Sequence, residues 1–249
     1  MPKELEGKSA IVTGSAVELA KEGCNVVVNY AGSKALAEDV VKQCQALGVK
    51  AIAVQADVAK IEQSKAMVDR TIKEFGRLDI LVNNAALGSG ATNGKLVDLT
   101  PERYDEAFGI NARGLFFMAQ AAARVMQDGG RIINFSSANT RICSPNISNY
   151  VGTKSAVEGW TRVWANELGG RKITVNTVSP GAVATDMFKN SDKTTGGAMS
   201  RAAMSQTPLK RIADPIDIAN VVTFLCSERG SWVNGQNLNV GLVMFMMVV

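Results

Sequence analysis

The stretch Arg131–Leu168 decides how this chain is read. It opens RIINFSS (131–137), crosses a loop, and continues NYVGTKSAVEGWTRVWANEL (149–168). Arg131 to Ser136 is a short apolar run with β-branched residues, which predicts a buried strand. Val157, Trp160, Trp164 and Leu168 recur at helical spacing, which predicts a helix. Tyr150 and Lys154 are four positions apart and share one face if that helix has begun by Tyr150. Ser137 stands at the carboxyl end of the strand, where open α/β sheets place their ligand crevice. A hydroxyl, a phenol and an ammonium group can therefore converge there.

Such a trio is equipped to move a proton to or from a carbonyl oxygen. A free phenol has a pKa of about 10 and is a poor base at neutral pH. A fixed cation nearby favours the phenolate and lowers that value, so Lys154 is expected to bring Tyr150 into a useful range. A serine hydroxyl can hold the substrate oxygen while its charge changes. The chain contains no histidine, so acid–base work must fall to other side chains. Taken alone, Tyr150 reads as an ordinary surface tyrosine and Lys154 as a solvated helix lysine.

The context removes that alternative. Ser137 precedes Tyr150 by thirteen residues, and five more segments occur in a matching order. They are Thr13-Gly14, Asp57-Val58, Asn83-Asn84-Ala85, Asn111, and Pro180-Gly181 with Thr185. With these, nearly the whole chain resembles the classical short-chain dehydrogenase/reductase family, and within it the 3-oxoacyl carrier-protein reductases and related ketoreductases. The resemblance implies a Rossmann-type doubly wound parallel sheet with helices on both faces, and NAD(P)-dependent carbonyl or alcohol chemistry. It implies Asn111, Ser137, Tyr150 and Lys154 as the catalytic set, with Asn111 holding a water that links Lys154 to solvent. It places cofactor contacts at Gly14, Ser15, Tyr30, Ser33, Asp57, Val58, Asn84, Ala85, Tyr150, Lys154, Pro180, Gly181, Val183 and Thr185.

Composition sets the bounds. The 249 residues suffice for one α/β domain over 1–249, and 46% apolar with 20% charged residues is an ordinary globular balance. A net charge of +4 is too small and too evenly spread to argue for nucleic acid. Cys24, Cys44, Cys143 and Cys226 have no paired spacing and read as free thiols of a reducing compartment, the cytoplasm. Without histidine no metal site is expected. No signal-peptide core or membrane-spanning run is apparent, so neither export nor a membrane partner is expected. The apolar close GLVMFMMVV (241–249) is expected to pack in a core or a subunit interface.

Short apolar runs alternate with helical patterns, as in βαβ units. Strands are expected at Ser9–Thr13, Asn25–Asn29, Lys50–Val54, Ile80–Asn83, Arg131–Ser136, Ile173–Ser179 and Asn237–Val240. The first crossover is short: only Gly14–Cys24 separates the first two strands, where a dozen or more residues are usual. The family carries T-G-x-x-x-G-x-G and a full helix here, and about eight residues with two glycines are lacking between Ala16 and Val17. Those glycines let the backbone approach a pyrophosphate. After the second strand no acid stands where one would bind the 2′-hydroxyl of NAD. Ser33 and Lys34 could contact a phosphate instead, or Ser33 could cap a helix. The expected cofactor is NADPH rather than NAD.

Asp57 is expected beside the adenine, as a helix N-cap, or both. Thr100-Pro101-Glu102 predicts a helix start, and that helix runs towards Met126 and carries Asn111. Asp214-Pro215 starts another, ending near Cys226. Phe188–Gln206, rich in small and polar residues, predicts a mobile lid over the substrate or a simple surface loop. The leading expectation is an NADPH-dependent ketone reductase with Tyr150 as proton donor and a small carbonyl or alcohol substrate. The alternatives are an NAD-dependent sugar or alcohol dehydrogenase, and a cofactor-poor binding or scaffold relative. Large rings at Phe108, Phe116, Trp160 and Trp164 exceed what one sheet-covering stripe needs, which points to a homotetramer. The alternative is that both tryptophans fill the core of one chain.

Overall fold

All seven expected apolar runs form strands of one sheet. They are β1 (Ser9–Val12), β2 (Asn25–Tyr30), β3 (Ala51–Gln55), β4 (Ile80–Asn83), β5 (Arg131–Phe135), β6 (Thr174–Pro180) and β7 (Asn237–Val240). The computed structural model describes residues 3–13, 16–92 and 94–241. The strands lie parallel in the order β3-β2-β1-β4-β5-β6-β7. The order reverses between β1 and β4, and the carboxyl ends of those strands flank a crevice.

The connecting helices are α1 (Val17–Lys21), α2 (Lys34–Ala46), α3 (Ile61–Phe75), α4 (Ser89–Thr92), α5 (Pro101–Phe108) and α6 (Leu115–Val125). They continue with α7 (Asn139–Ile142), α8 (Ser148–Gly169), α9 (Asp186–Thr194), α10 (Ala198–Gln206) and α11 (Pro215–Cys226). Strand residues alternate between two cores. Val12, Val26, Val28 and Val82 pack with α1, α2 and α11, whereas Ile11, Val27, Leu81 and Ile132 pack with α3, α6 and α8. Parallel strands buried on both faces need this continuous apolar character. Each buried aliphatic side chain contributes about 1.5–3 kcal/mol.

The short first crossover closes on the five-residue helix α1, and β1 still pairs with β2 from Ser9↔Asn25 to Val12↔Val28. Gly14 and Ser15 lie outside the described residues, as do Leu242–Val249, so the expectations for that turn and for the tail go untested.

One expectation needs correction. The helix expected from Pro101 to Met126 is interrupted by a π-helical turn at Gly109–Gly114. Gly114 is required there: a Cβ at this position would sit 2.7 Å from Val58 O, in the loop after β3. The stretch expected as a lid or a surface loop forms a helical pair, α9 and α10, turning at Gly196 and Gly197, both in the left-handed region. The Asp192 carboxylate accepts from the Ser200 amide at 2.9 Å and from its hydroxyl, holding the pair together.

Candidate active site

Ser137 follows the end of β5, and Tyr150 and Lys154 lie on the first turns of α8, which has begun by Ser148. The helix therefore brings the phenol and the ammonium to the strand end on one face, as the four-residue spacing requires. Ser137 is 8% exposed and Lys154 2% exposed, while Tyr150 is partly buried. The Lys154 ammonium donates to Phe135 O at 2.9 Å and lies 5.8 Å from the centre of the Tyr150 ring. The Ser137 hydroxyl oxygen accepts from the Asn139 amide at 3.2 Å, and its side chain is near enough to Tyr150 to favour the phenolate.

The electrostatics differ from the expectation that Lys154 pulls the phenol down. Burial raises the Tyr150 pKa above its ordinary value, and the Ser137 hydrogen bond opposes this only in part. Burial also lowers Lys154 from 10.5 to about 8. The ammonium faces a backbone carbonyl instead of the phenol oxygen, and its own charge is disfavoured by desolvation. Burial thus favours the protonated form of the phenol.

Asn111 is fully buried in the π turn, a feature often found at functional sites. Its Oδ1 accepts from Leu87 N at 2.7 Å, and its Nδ2 donates to Leu87 O at 3.0 Å. Nδ2 also reaches Thr153 Oγ1 at 3.4 Å, and that hydroxyl donates to Tyr150 O at 2.7 Å. Asn111 therefore clamps the chain after β4 and touches α8 between Tyr150 and Lys154.

The remaining expected residues surround the carboxyl edge of the sheet. Thr13 Oγ1 accepts from the Asn84 and Ala85 amides, both at 2.7 Å, and the Asn84 side chain donates to Thr13 O at 2.9 Å. These groups join β1 to β4 at the switch point. Asp57 accepts from Ala59 N at 3.0 Å in a tight turn; the N-cap of α3 is Lys60, which corrects the N-cap expectation for Asp57. Ser33 occupies the N-cap position of α2 without a side-chain cap bond, and Lys34 pairs with Glu38 at 3.5 Å. Tyr30 ends β2, while the neighbouring Asn29 amide donates to Ala56 O at 2.9 Å. Pro180 ends β6, Gly181 N donates to Val240 O at 2.9 Å, and Val183 bridges to Ala213. The Thr185 hydroxyl caps α9 by accepting from Phe188 N at 3.3 Å.

Several site-building residues escaped the sequence reading. Glu158 accepts from Ser136 Oγ and Thr140 Oγ1, both at 2.7 Å. Asn83 donates to Asn134 at 3.0 Å, and Asn134 donates to Thr161 at 2.9 Å, forming a buried polar line from β4 to α8. One signal was available: Glu158 repeats the four-residue spacing of Tyr150 and Lys154.

Comparison with known proteins agrees with this architecture. The family model described as enoyl-(acyl carrier protein) reductase matches residues 7–241. The short chain dehydrogenase/reductase AacuN of Aspergillus aculeatus is 44% identical, covering 96% of each chain. Its alignment runs over 256 residues, more than the 249 of this chain, so the relative carries residues that this one lacks. A short chain dehydrogenase from Burkholderia cenocepacia, solved in complex with NADP, superposes with a TM-score of 0.88 at 37% identity, over 95% of this chain and 97% of that one. The promiscuous reductase LugOII, which catalyses keto-reduction at C1 during lugdunomycin biosynthesis, is 36% identical with a TM-score of 0.85, over 95% of this chain and 97% of that one. The chain belongs to the short-chain dehydrogenase/reductase family and is an NAD(P)-dependent oxidoreductase of small molecules.

Proposed function

We propose that this protein reduces a ketone carbonyl to a secondary alcohol with NADPH. The observation that carries the reading is the cluster of Ser137, Tyr150 and buried Lys154 at the carboxyl end of β5. Ser137 has one proton and two lone pairs; Asn139 N–H takes one lone pair, so the rest of the hydroxyl serves the substrate oxygen and the phenol. Tyr150, held protonated by burial, gives its proton to that oxygen. Lys154 carries three donors, of which Phe135 O takes one, leaving donor capacity for the nicotinamide ribose.

The residues present fit such a cofactor at both ends. Tyr30, Ser33, Asp57 and Val58 would border the adenosine, Asn84 and Ala85 the switch point, and Pro180, Gly181, Val183 and Thr185 the carboxamide. When bound, the cofactor supplies the hydride. The absence of an acid at the end of β2 supports NADPH over NAD, as does the NADP held by the Burkholderia relative. Keto-reduction by LugOII supports a ketone substrate. The sheet draws strands from near both ends of the chain, which supports one domain over 1–249. We further infer a cytoplasmic homotetramer with α9 and α10 covering the substrate. One observation favours a second reading, a cofactor-poor binding relative: α1 has five residues and leaves little backbone for a pyrophosphate.

Tyr150→Phe tests the first reading. It keeps the ring, removes the proton, and is expected to abolish ketone reduction while NADPH binding persists. Near-normal turnover in this variant would refute the mechanism. Failure of the wild-type protein to bind NADPH would favour the second reading.

A further inference from the structure

Three consecutive residues at the end of β5 are each hydrogen-bonded to α8. Asn134 donates to Thr161, Phe135 O accepts from Lys154, and Ser136 donates to Glu158, while Ser137, next in the chain, lies near Tyr150. Tyr150 and Lys154 belong to the proposed chemistry. Thr161 lies deep in the polar line across the sheet. Glu158 is the remaining fastener, and it holds more than its own partner. Its Oε1 accepts from Ser136 Oγ and from Thr140 Oγ1, both at 2.7 Å. Ser136 immediately precedes Ser137. Thr140 lies in the turn after it, where its hydroxyl also reaches Ser137 O at 2.9 Å. One carboxylate oxygen therefore holds the hydroxyl side chains on both sides of Ser137, at positions 136 and 140.

We propose that Glu158 is a positioning residue for Ser137. A carboxylate is acceptor-only, so the Ser136 hydroxyl must donate to it, and the single Thr140 proton is shared between it and Ser137 O. Hydrogen bonds to an ionised acceptor are short and about twice as strong as neutral ones. Together they fix the height of the Ser137 peptide above α8, and with it the distance from the Ser137 hydroxyl to the phenol on the same helix. Glu158 touches neither Tyr150 nor the proposed position of the substrate oxygen; it acts through Ser137. The inference rests on the reading of Ser137 and Tyr150 as the proton-transfer pair.

The test is a double-mutant cycle with two readouts. The first is turnover of 2,2,2-trifluoroacetophenone with NADPH by the wild type, Glu158→Ala, Ser137→Ala and the double variant. The second needs no substrate: the alkaline rise in tyrosinate absorbance assigned to Tyr150 by difference from Tyr150→Phe. Glu158→Ala is expected to lower turnover about 10- to 100-fold, the range for a small misplacement of a reacting group. It should also push the Tyr150 titration higher, because the Ser137 hydrogen bond holds it down. Neither effect should recur in the Ser137→Ala background. Glu158→Gln, whose amide oxygen still accepts from both hydroxyls, should restore most of the turnover. Equal effects of Glu158→Ala with and without Ser137 would overturn the proposal, as would an unmoved tyrosinate titration. A wild type that binds NADPH yet reduces no ketone would instead count against the proposed function, and the tyrosinate cycle would still decide the role of Glu158.

Discussion

Replacing Lys154 with methionine separates what this lysine does to the fold from what it does at the site. Burial moves its pKa from 10.5 to about 8. At about 1.4 kcal/mol per unit, the protonated form is disfavoured in the folded chain by about 3 kcal/mol. Neutral pH lies below both values, so the whole penalty is present there. Between about 8 and 10.5 the unfolded chain binds more protons than the folded one, and stability rises with pH. By about pH 9.5 the penalty has fallen by about 2 kcal/mol. Lys154→Met keeps the apolar stem and removes the titration. It also leaves Phe135 O without its 2.9 Å donor, at about 1–3 kcal/mol whatever the pH. The variant should therefore match or exceed the wild type in thermal stability near neutral pH, and lose ground as pH rises. For a chain of this size, that swing is about 4–8 °C in the difference of melting temperatures. Thermal melts of both proteins at about pH 7 and about pH 9.5 measure it. A difference that does not change with pH would refute the reasoning, because Lys154 would then be as readily protonated in the fold as in water. Turnover should fall sharply at every pH, since no ammonium remains to hold the ribose.

Cofactor preference and assembly give two further tests. The Michaelis constant should be lower for NADPH than for NADH, and Tyr30→Asp should reverse the order; equal constants in the wild type would refute the argument from the absent acid. Asn29 is the poorer place for that acid, because its amide already bridges to Ala56 O at 2.9 Å. Light scattering at micromolar concentration should give a tetramer: Phe116, Trp160 and Trp164 form an edge-to-face and stacked group, and Phe116 and Trp164 line a groove of about 290 Å³ between α6 and α8 that reaches Ile132 of β5. A monomer mass would show that these rings are satisfied within one chain, as the 9% exposure of Trp164 already allows for that residue.

What could be read from the chain follows the range of the forces involved. The central strands β1, β2 and β4 were legible because strands buried on both faces are largely apolar runs, and the edge strand β7, Asn-Leu-Asn-Val, kept only an alternating pattern. The Tyr150–Lys154 pair was legible because helical spacing is local. The π turn at Gly109–Gly114 was not. Its apolar pattern hardly differs from that of an α-helix, and the close approach of Val58 O to Gly114 becomes visible only when the loop after β3 is in place. The direction of the Tyr150 shift was misread for a related reason. The spacing shows that a cation is near, but burial and the rival acceptor Phe135 O are properties of the folded chain.

The same distinction bears on how the site is held. Ser137 follows a strand end and precedes a four-residue helix, neither of which is stiff alone. Its rigidity comes from α8, a helix of 22 residues packed through Val157, Trp164 and Ala165 into the core shared with α3 and α6. A long helix fixes the spacing between its own side chains far better than a loop can. Tyr150, Lys154 and Glu158 therefore form a ruler, and the end of β5 is laid along it by one hydrogen bond after another. The apolar core sets where the ruler lies, and the polar contacts transfer that precision to the one hydroxyl that sits off the helix. Cutting a single contact along the ruler should loosen Ser137 without unfolding the sheet, and this is why the role of Glu158 can be measured separately from the stability of the fold.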